Sequence, residues 1–292
     1  MMDMPAGLAI KPLSPLCGAE IVGVDLSQEL PQQTIEAIQR AWNQYVVLIF
    51  RGQELSEEAQ LRFASYFGEL GKRKKPPDEL KKRVTGTEQF TPEVMLVSNK
   101  RVDGKPVGAF GDGEMWFHID SGYAESPYAY TFLYGVELPS WGGNTRFANT
   151  LAAYEELPQK VKDKLKGKKA LHIHEYERRQ RVPLRDDISG SPHWFHPVLI
   201  EHPKSGRTAL FVDRLMTRRI EGVSLEESEE LLAFLYDHVE QEKFVFEHEW
   251  ALGDVVMWDN LATIHGRTYF PETETRLLRR CTIEGSPLKM AG

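Results

Sequence analysis

Two stretches far apart in the 292-residue chain carry side chains that can share one metal ion: Trp116-Phe117-His118-Ile119-Asp120 and Asp259-Asn260-Leu261-Ala262-Thr263-Ile264-His265. In an extended strand side chains alternate faces, so His118 and Asp120, two apart, offer an imidazole nitrogen and a carboxylate oxygen to one side. If His265 adds a third ligand, the set is two histidines and one carboxylate on one face of a metal. Three coordination positions then stay open, which suits non-haem Fe(II) that activates oxygen. A lone His-x-Asp says little, because chance produces it often and a buried histidine usually satisfies a hydrogen bond instead. Its company says more. Arg276 and Arg280 follow His265, four apart in an expected strand, so they share a face while Arg279 points to the other. Two same-face arginines near a metal can bind two separate carboxylates, each by a bidentate pair.

The remaining histidines lack such company. His172 and His174 are also two apart in an expected strand, but no carboxylate pair or arginine constellation accompanies them. They read as structural, as do His196, His202 and His248, while His238 falls on a late helix.

Composition bounds the setting. A chain with 41% hydrophobic residues can bury a large core, and a formal charge of −7 argues against general nucleic-acid affinity. Only Cys17 and Cys281 are present, which supports neither a disulfide framework nor a thiolate metal site. No apolar run approaches the roughly 20 residues of a membrane span, and the first residues lack the features of a signal peptide. The expectation is a soluble, cytoplasmic protein with no nucleic-acid or membrane partner.

The elements that must position the site are mostly strands. Residues 8–26 read as two short strands, 31–43 as a helix, and 45–50 as a strand buried on both faces because it is short, apolar and β-branched. Ser56 can cap a helix to about residue 67. A strand is expected over 128–138, and 140–149 reads as a tight turn into another strand. Thr150 is the expected cap of a helix over 151–157, and another helix covers 158–165. A hairpin is expected from 196–201 and 207–212. Ser224 opens a capping box for an amphipathic helix carrying Leu231, Leu232, Phe234, Leu235 and Val239. Strands then return over 244–250, 254–258, 263–269 and 276–283. Lys72, Arg73, Lys74, Lys75, Lys81, Lys82 and Arg83 crowd around Pro76-Pro77, so 71–93 reads as a solvated loop or a lid, and the patternless 176–191 as a second loop. Many short strands with a few inserted helices point to a mostly β, double-sheet barrel or jelly roll, one domain over 1–292.

At this point the chain resembles the Fe(II)- and 2-oxoglutarate-dependent dioxygenases of the taurine dioxygenase and 2,4-dichlorophenoxyacetate dioxygenase family. The residues that carry the resemblance are His118-x-Asp120, Gly142-Gly143-Asn144-Thr145, Gly253-Asp254 to Trp258-Asp259-Asn260, His265, Arg276 and Arg280, in family order and spacing. The resemblance implies a distorted double-stranded β-helix, cupin-like, with His118, Asp120 and His265 on iron. It implies further that Thr145 and Arg276, with Trp258 beside them, hold the co-substrate 2-oxoglutarate, and that Arg280 sits where the family's substrate-anion or second co-substrate arginine lies. Succinate and CO2 would leave, O2 would be consumed, and a small organic acid would be hydroxylated, with cleavage if the hydroxyl lands beside a heteroatom. The carboxylate at Asp120 argues against halogenation, since a small residue replaces it in iron halogenases of related fold. Glu114, Phe117 and Phe211 join Arg280 as substrate-binding candidates, with Phe110, Trp116 and Met216 as apolar walls. Family members commonly form dimers or tetramers. Two other readings share the triad: a metal-binding or ligand-binding jelly-roll module without turnover, which has no need of the arginine pair, and a desaturase or epimerase working from the same centre.

Overall fold

A computed structural model describes residues 5, 7–72, 93–106, 108–174 and 188–292. The chain enters as an antiparallel pair, β1 (Ala9–Pro12) and β2 (Ala19–Val22). Helix α1 (Gln32–Tyr45) turns Ile35, Ile38, Ala41 and Trp42 inward at helical spacing. It stops where Val46 takes a left-handed backbone, φ 56°, and the chain passes into β3 (Val47–Phe50), every residue of which is buried. Helix α2 (Glu57–Ser65) is capped by the Ser56 hydroxyl, which accepts from the Ala59 N–H, and Glu57 and Glu58 favour the positive end of its dipole.

Strand β4 (Met95–Ser98) and the small hairpin β5 (Arg101–Val102) and β6 (Lys105–Pro106) lead to β7 (Met115–His118), β8 (Tyr130–Glu137) and β9 (Thr145–Asn149). Helices α3 (Thr150–Glu155) and α4 (Gln159–Leu165) precede β10 (Lys169–Ile173), β11 (His193–Pro197), β12 (Leu199–Glu201), β13 (Thr208–Leu210) and β14 (Thr217–Ile220). Helix α5 (Leu225–Val239) then gives way to β15 (Val245–His248), β16 (Val255–Asp259), β17 (Thr263–Arg267) and β18 (Leu277–Ile283).

Two sheets matter most for the site. A seven-stranded sheet runs β1-β2-β3-β16-β8-β18-β4, and a four-stranded sheet runs β15-β9-β17-β7. Val47, Ile49, Leu133, Val256, Trp258 and Leu278 from the first share one core with Phe147 and Ile264 from the second. The other face of the large sheet, through Leu48, Phe50, Phe132, Val255 and Met257, packs on Ile38, Trp42 and Phe63 of the two N-terminal helices and on Phe67 just past α2. A sheet covered on both faces needs apolar residues at every position, and that is why β3 and β16 read as continuous apolar runs rather than alternating ones.

Several expectations need correction. Asn149, not Thr150, caps α3: its Oδ1 accepts from the N–H groups of Leu151 and Ala152, and Thr150 is already helical. Residues 196 and 197 belong to β11, which pairs with β10, so the hairpin is the shorter β12–β13 pair. Phe234 on α5 is exposed, one residue off the buried stripe of Leu232, Leu235 and Val239. Of the two expected loops, residues 73–92 and 176–187 lie outside the described residues. Among those described, no helix is long and apolar enough to cross a membrane.

Candidate metal centre and anion pocket

His118 and His265 sit opposite each other as register partners of β7 and β17. Their rings lie 4.1 Å apart between centroids. Strand β7 ends at His118, so Asp120 reaches the site from the turn that follows and not, as expected, from the same strand. The convergence survives: Asp120 Oδ1 lies 3.8 Å from Nε2 of both histidines, and one donor atom from each of the three residues falls within 4.8 Å of the others. All three side chains are buried. Among the described residues this is the one cluster of histidine and acidic groups with metal-ligand spacing.

Each donor is prepared by its neighbours. Nδ1 of His118 meets the Trp116 carbonyl at 3.0 Å, which makes Nδ1 the protonated nitrogen and leaves the Nε2 lone pair facing the centre. Burial pushes the His118 pKa below that of an ordinary histidine, and burial followed by the neighbouring His118 pushes His265 well below it, which favours the neutral form whose lone pair can bind a metal. For Asp120, burial alone would raise the pKa. Arg280, the two histidines and the Thr131 hydroxyl outweigh it and hold the carboxyl below its ordinary value. Asp120 Oδ2 accepts from Thr131 Oγ1 at 2.7 Å and pairs with Arg280 Nη2 at 2.8 Å, so Oδ1 alone faces the histidines. Asn260 fixes the backbone of the same residue: its Oδ1 accepts from the Asp120 N–H at 2.8 Å, and its Nδ2 donates to the carbonyls of Asp120 and Tyr128.

A second group of residues lies further along the same strands, where Thr145 of β9 pairs in register with Arg267, two residues past His265 on β17. Arg276 is 2% exposed. Its one side-chain hydrogen bond runs from Nε to the Gly143 carbonyl, and no carboxylate among the described residues pairs with it. Burial, then the nearby charge of Arg267, holds its pKa well below that of an ordinary guanidinium. An unpaired buried cation costs several kcal/mol, on the order of a broken buried ion pair, unless an anion joins it. Thr145 brings a buried hydroxyl to the same place from β9, and Trp250 lies against both. These residues therefore fit a carboxylate beside a metal centre with three open positions. Gly143 has φ 68°, and a Cβ there would stand 3.0 Å from Arg276 Cδ, so the glycine is what lets the arginine lie along the turn.

The other sequence candidates divide. Trp258, 1% exposed, lies 4.6 Å from the His265 ring between centroids, and its indole N–H has no hydrogen-bond partner among the described residues. Trp116 shares His118's side of β7 by alternation. Glu114 is exposed to solvent. Phe117 turns to the opposite side of β7 from His118, under the Arg146 guanidinium at 5.3 Å. Phe211 is buried and packed between the rings of His172 and His196. His172 sits 3.7 Å from the buried carboxylate of Asp213, a pairing that sequence separation concealed. Thr131, Asn260 and Trp250 are functional neighbours that sequence reasoning did not assign. Asn260 carried a signal, since it stands in the Trp258-Asp259-Asn260 phrase, whereas Thr131 and Trp250 carried none.

Comparison with known proteins agrees with this geometry. The family described as taurine catabolism dioxygenase TauD, TfdA matches residues 9–282. The chain is 34% identical to the alpha-ketoglutarate-dependent 2,4-dichlorophenoxyacetate dioxygenase of Cupriavidus pinatubonensis, over 94% of this chain and 96% of that protein. It is 33% identical to the alpha-ketoglutarate-dependent sulfate ester dioxygenase of Pseudomonas putida, over 95% and 90%. Its fold matches a taurine dioxygenase from Burkholderia xenovorans with a TM-score of 0.77 at 30% identity, covering 96% of this chain and 90% of that one. The chain belongs to the TauD, TfdA family and is a non-haem iron, 2-oxoglutarate-dependent dioxygenase.

Proposed function

We propose that His118, Asp120 and His265 bind Fe(II), that Thr145 and Arg276 hold the distal carboxylate of 2-oxoglutarate, and that Arg280 anchors a small organic anion whose C–H bond is hydroxylated. The observation that carries the substrate class is Arg280: a buried guanidinium whose Nη2 braces the metal carboxylate while its Nε has no hydrogen-bond partner among the described residues. Half of this cation is committed to Asp120, and the other half is available to a second anion within reach of the metal. Relatives named for 2,4-dichlorophenoxyacetate, phenoxypropionate and sulfate esters support the reading of an organic anion.

Fe(II) with bound 2-oxoglutarate supplies oxygen activation coupled to decarboxylation, which yields succinate and CO2 and oxidises the substrate. The chain's own residues orient and exclude. Asp120 presents one oxygen because Thr131 and Arg280 occupy the other, which leaves positions open for co-substrate and oxygen. Phe147 and Trp258 wall the His265 side. Arg280 fixes the substrate anion, and with it the distance from the reactive carbon to the metal, an orientation effect that can carry many kcal/mol of barrier lowering.

The same reading takes the two facing sheets as a distorted double-stranded β-helix, or jelly roll, supported by their shared core, and the whole chain 1–292 as one catalytic domain. A cytoplasmic dimer or tetramer goes with it. The test is a screen of aryloxyacetates, alkyl sulfates, sulfonates, amino acids and amines at saturating Fe(II) and 2-oxoglutarate, scored by succinate released in step with hydroxylated product. Coupled turnover confined to organic anions is expected, and turnover confined to amines would overturn the assignment of Arg280.

A further inference from the structure

Trp250 follows β15 and has no place in the triad, yet it touches both residues of the anion pocket. Its Nε1 lies 3.0 Å from Thr145 Oγ1, and the Arg276 guanidinium carbon lies 6.0 Å over its ring. An indole N–H can only donate, so the threonine oxygen must accept. A hydroxyl has a single proton. With one lone pair taken by Trp250, and with no other hydrogen bond to Thr145 Oγ1 among the described residues, that proton is left to point into the pocket. The ring itself is held in place: His248 meets it edge-on at 4.7 Å between centroids, and a Cβ on Gly135 would lie 3.4 Å from its Cε3.

We propose that Trp250 is a positioning residue for 2-oxoglutarate: its N–H forces the Thr145 hydroxyl to donate to the distal carboxylate, and its face seats Arg276 against the same group. The inference rests on the reading of Thr145 and Arg276 as the carboxylate's partners. It assigns the orientation of the clamp to a residue that touches neither the metal nor, by this account, the ligand. Arg276 gains from the same indole a surface on which a planar cation stacks without losing its outward N–H groups.

The variant that isolates the N–H is Trp250→Phe, which keeps a ring under Arg276 and removes the donor. Dissociation constants for 2-oxoglutarate are read from the visible charge-transfer band of the anaerobic Fe(II) protein for wild type, W250F, T145V and the double variant. W250F is expected to bind roughly three- to tenfold more weakly, the loss of one hydrogen bond's worth of orientation. The double variant should be no weaker than T145V alone, because the indole acts through the hydroxyl. Wild-type affinity in W250F, or a W250F loss undiminished in the T145V background, would overturn the proposal while leaving Thr145 in its role. Wild-type affinity in T145V would instead remove Thr145 from the carboxylate site, and this inference with it. A second reading needs no metal and no altered tryptophan: in 15N-tryptophan-labelled protein the Trp250 indole resonance, assigned by its loss in W250F, should move upfield in T145V. An unmoved resonance refutes the contact.

Discussion

Replacing Thr131 with valine tests whether the metal carboxylate is held by its idle oxygen. Thr131 lies on β8, fully buried, and donates to Asp120 Oδ2 at 2.7 Å, the oxygen that also pairs with Arg280 at 2.8 Å. Valine has nearly the shape of threonine, so the change removes one O–H and leaves no cavity. A hydrogen bond to a charged group contributes about 1.5–3 kcal/mol, equivalent to roughly 10- to 150-fold if all of it appeared in one equilibrium. It cannot all appear in metal binding, because the bond exists with or without metal and Arg280 still holds the same oxygen. The expected split is about a tenfold loss of metal affinity, in the range typical for groups that orient a ligand, with about 1 kcal/mol lost from the stability of the metal-free protein. Competition between the protein and a chelator for Mn(II) or Co(II) gives the first quantity, and urea unfolding of metal-free protein gives the second. If T131V keeps both at wild-type values, the hydroxyl does not orient Asp120. If instead 2-oxoglutarate affinity falls with metal affinity intact, the effect belongs to the neighbouring pocket and the reasoning fails as well.

Further expectations follow from the arginines. Arg276→Met removes an unpaired buried cation, so the metal-free protein should melt at a higher temperature, by the equivalent of about 1–3 kcal/mol, while the thermal shift that 2-oxoglutarate gives the wild type disappears. Gly143→Ala adds a Cβ 3.0 Å from Arg276 Cδ at a backbone φ of 68°. It should cost about 1–2 kcal/mol in stability and raise the KM for 2-oxoglutarate with little change in that for substrate, measured by steady-state kinetics. Arg280→Gln breaks a buried pair with Asp120 and, on the proposed reading, removes the substrate's counter-charge. An organic-anion KM raised at least about tenfold, together with weaker metal binding, is the expected signature, and 2-oxoglutarate affinity near wild type distinguishes it from Arg276.

The residues that do chemistry were legible because their types are rare and their spacing is fixed by strand geometry. His118, Asp120 and His265 meet as expected, although Asp120 arrives from a turn, because a two-residue offset across a strand end still brings two side chains to one side. Arg276 stands one residue before β18 and Arg280 within it, and both side chains are buried. Legibility fails where a role depends on what lies across the sheet. Thr131 looks like any β-branched strand residue until β8 is placed beneath Asp120. Phe117, a substrate-binding candidate from the sequence, neighbours His118 in the strand, so alternation turns it to the other side, toward Arg146. Phe211 could be read as wall or core, and only the positions of His172 and His196 decide. Asn149 took the cap from Thr150 because its longer side chain reaches two N–H groups at once.

The direct pairing of His118 with His265 also bears on how the protein is made. The two residues are about 150 positions apart, and β17 is among the last strands to leave the ribosome. Contacts of such separation are formed late, since loop closure must be paid for before they give anything back. A nascent chain that has emerged only as far as β16 holds His118 and Asp120 but not the third ligand. It presents a weak two-donor fragment to the cell's metals, and tight capture waits until the C-terminal strands have docked. Metal uptake thereby reports that the fold is complete, and a chain truncated before β17 should neither retain iron nor gain stability from it.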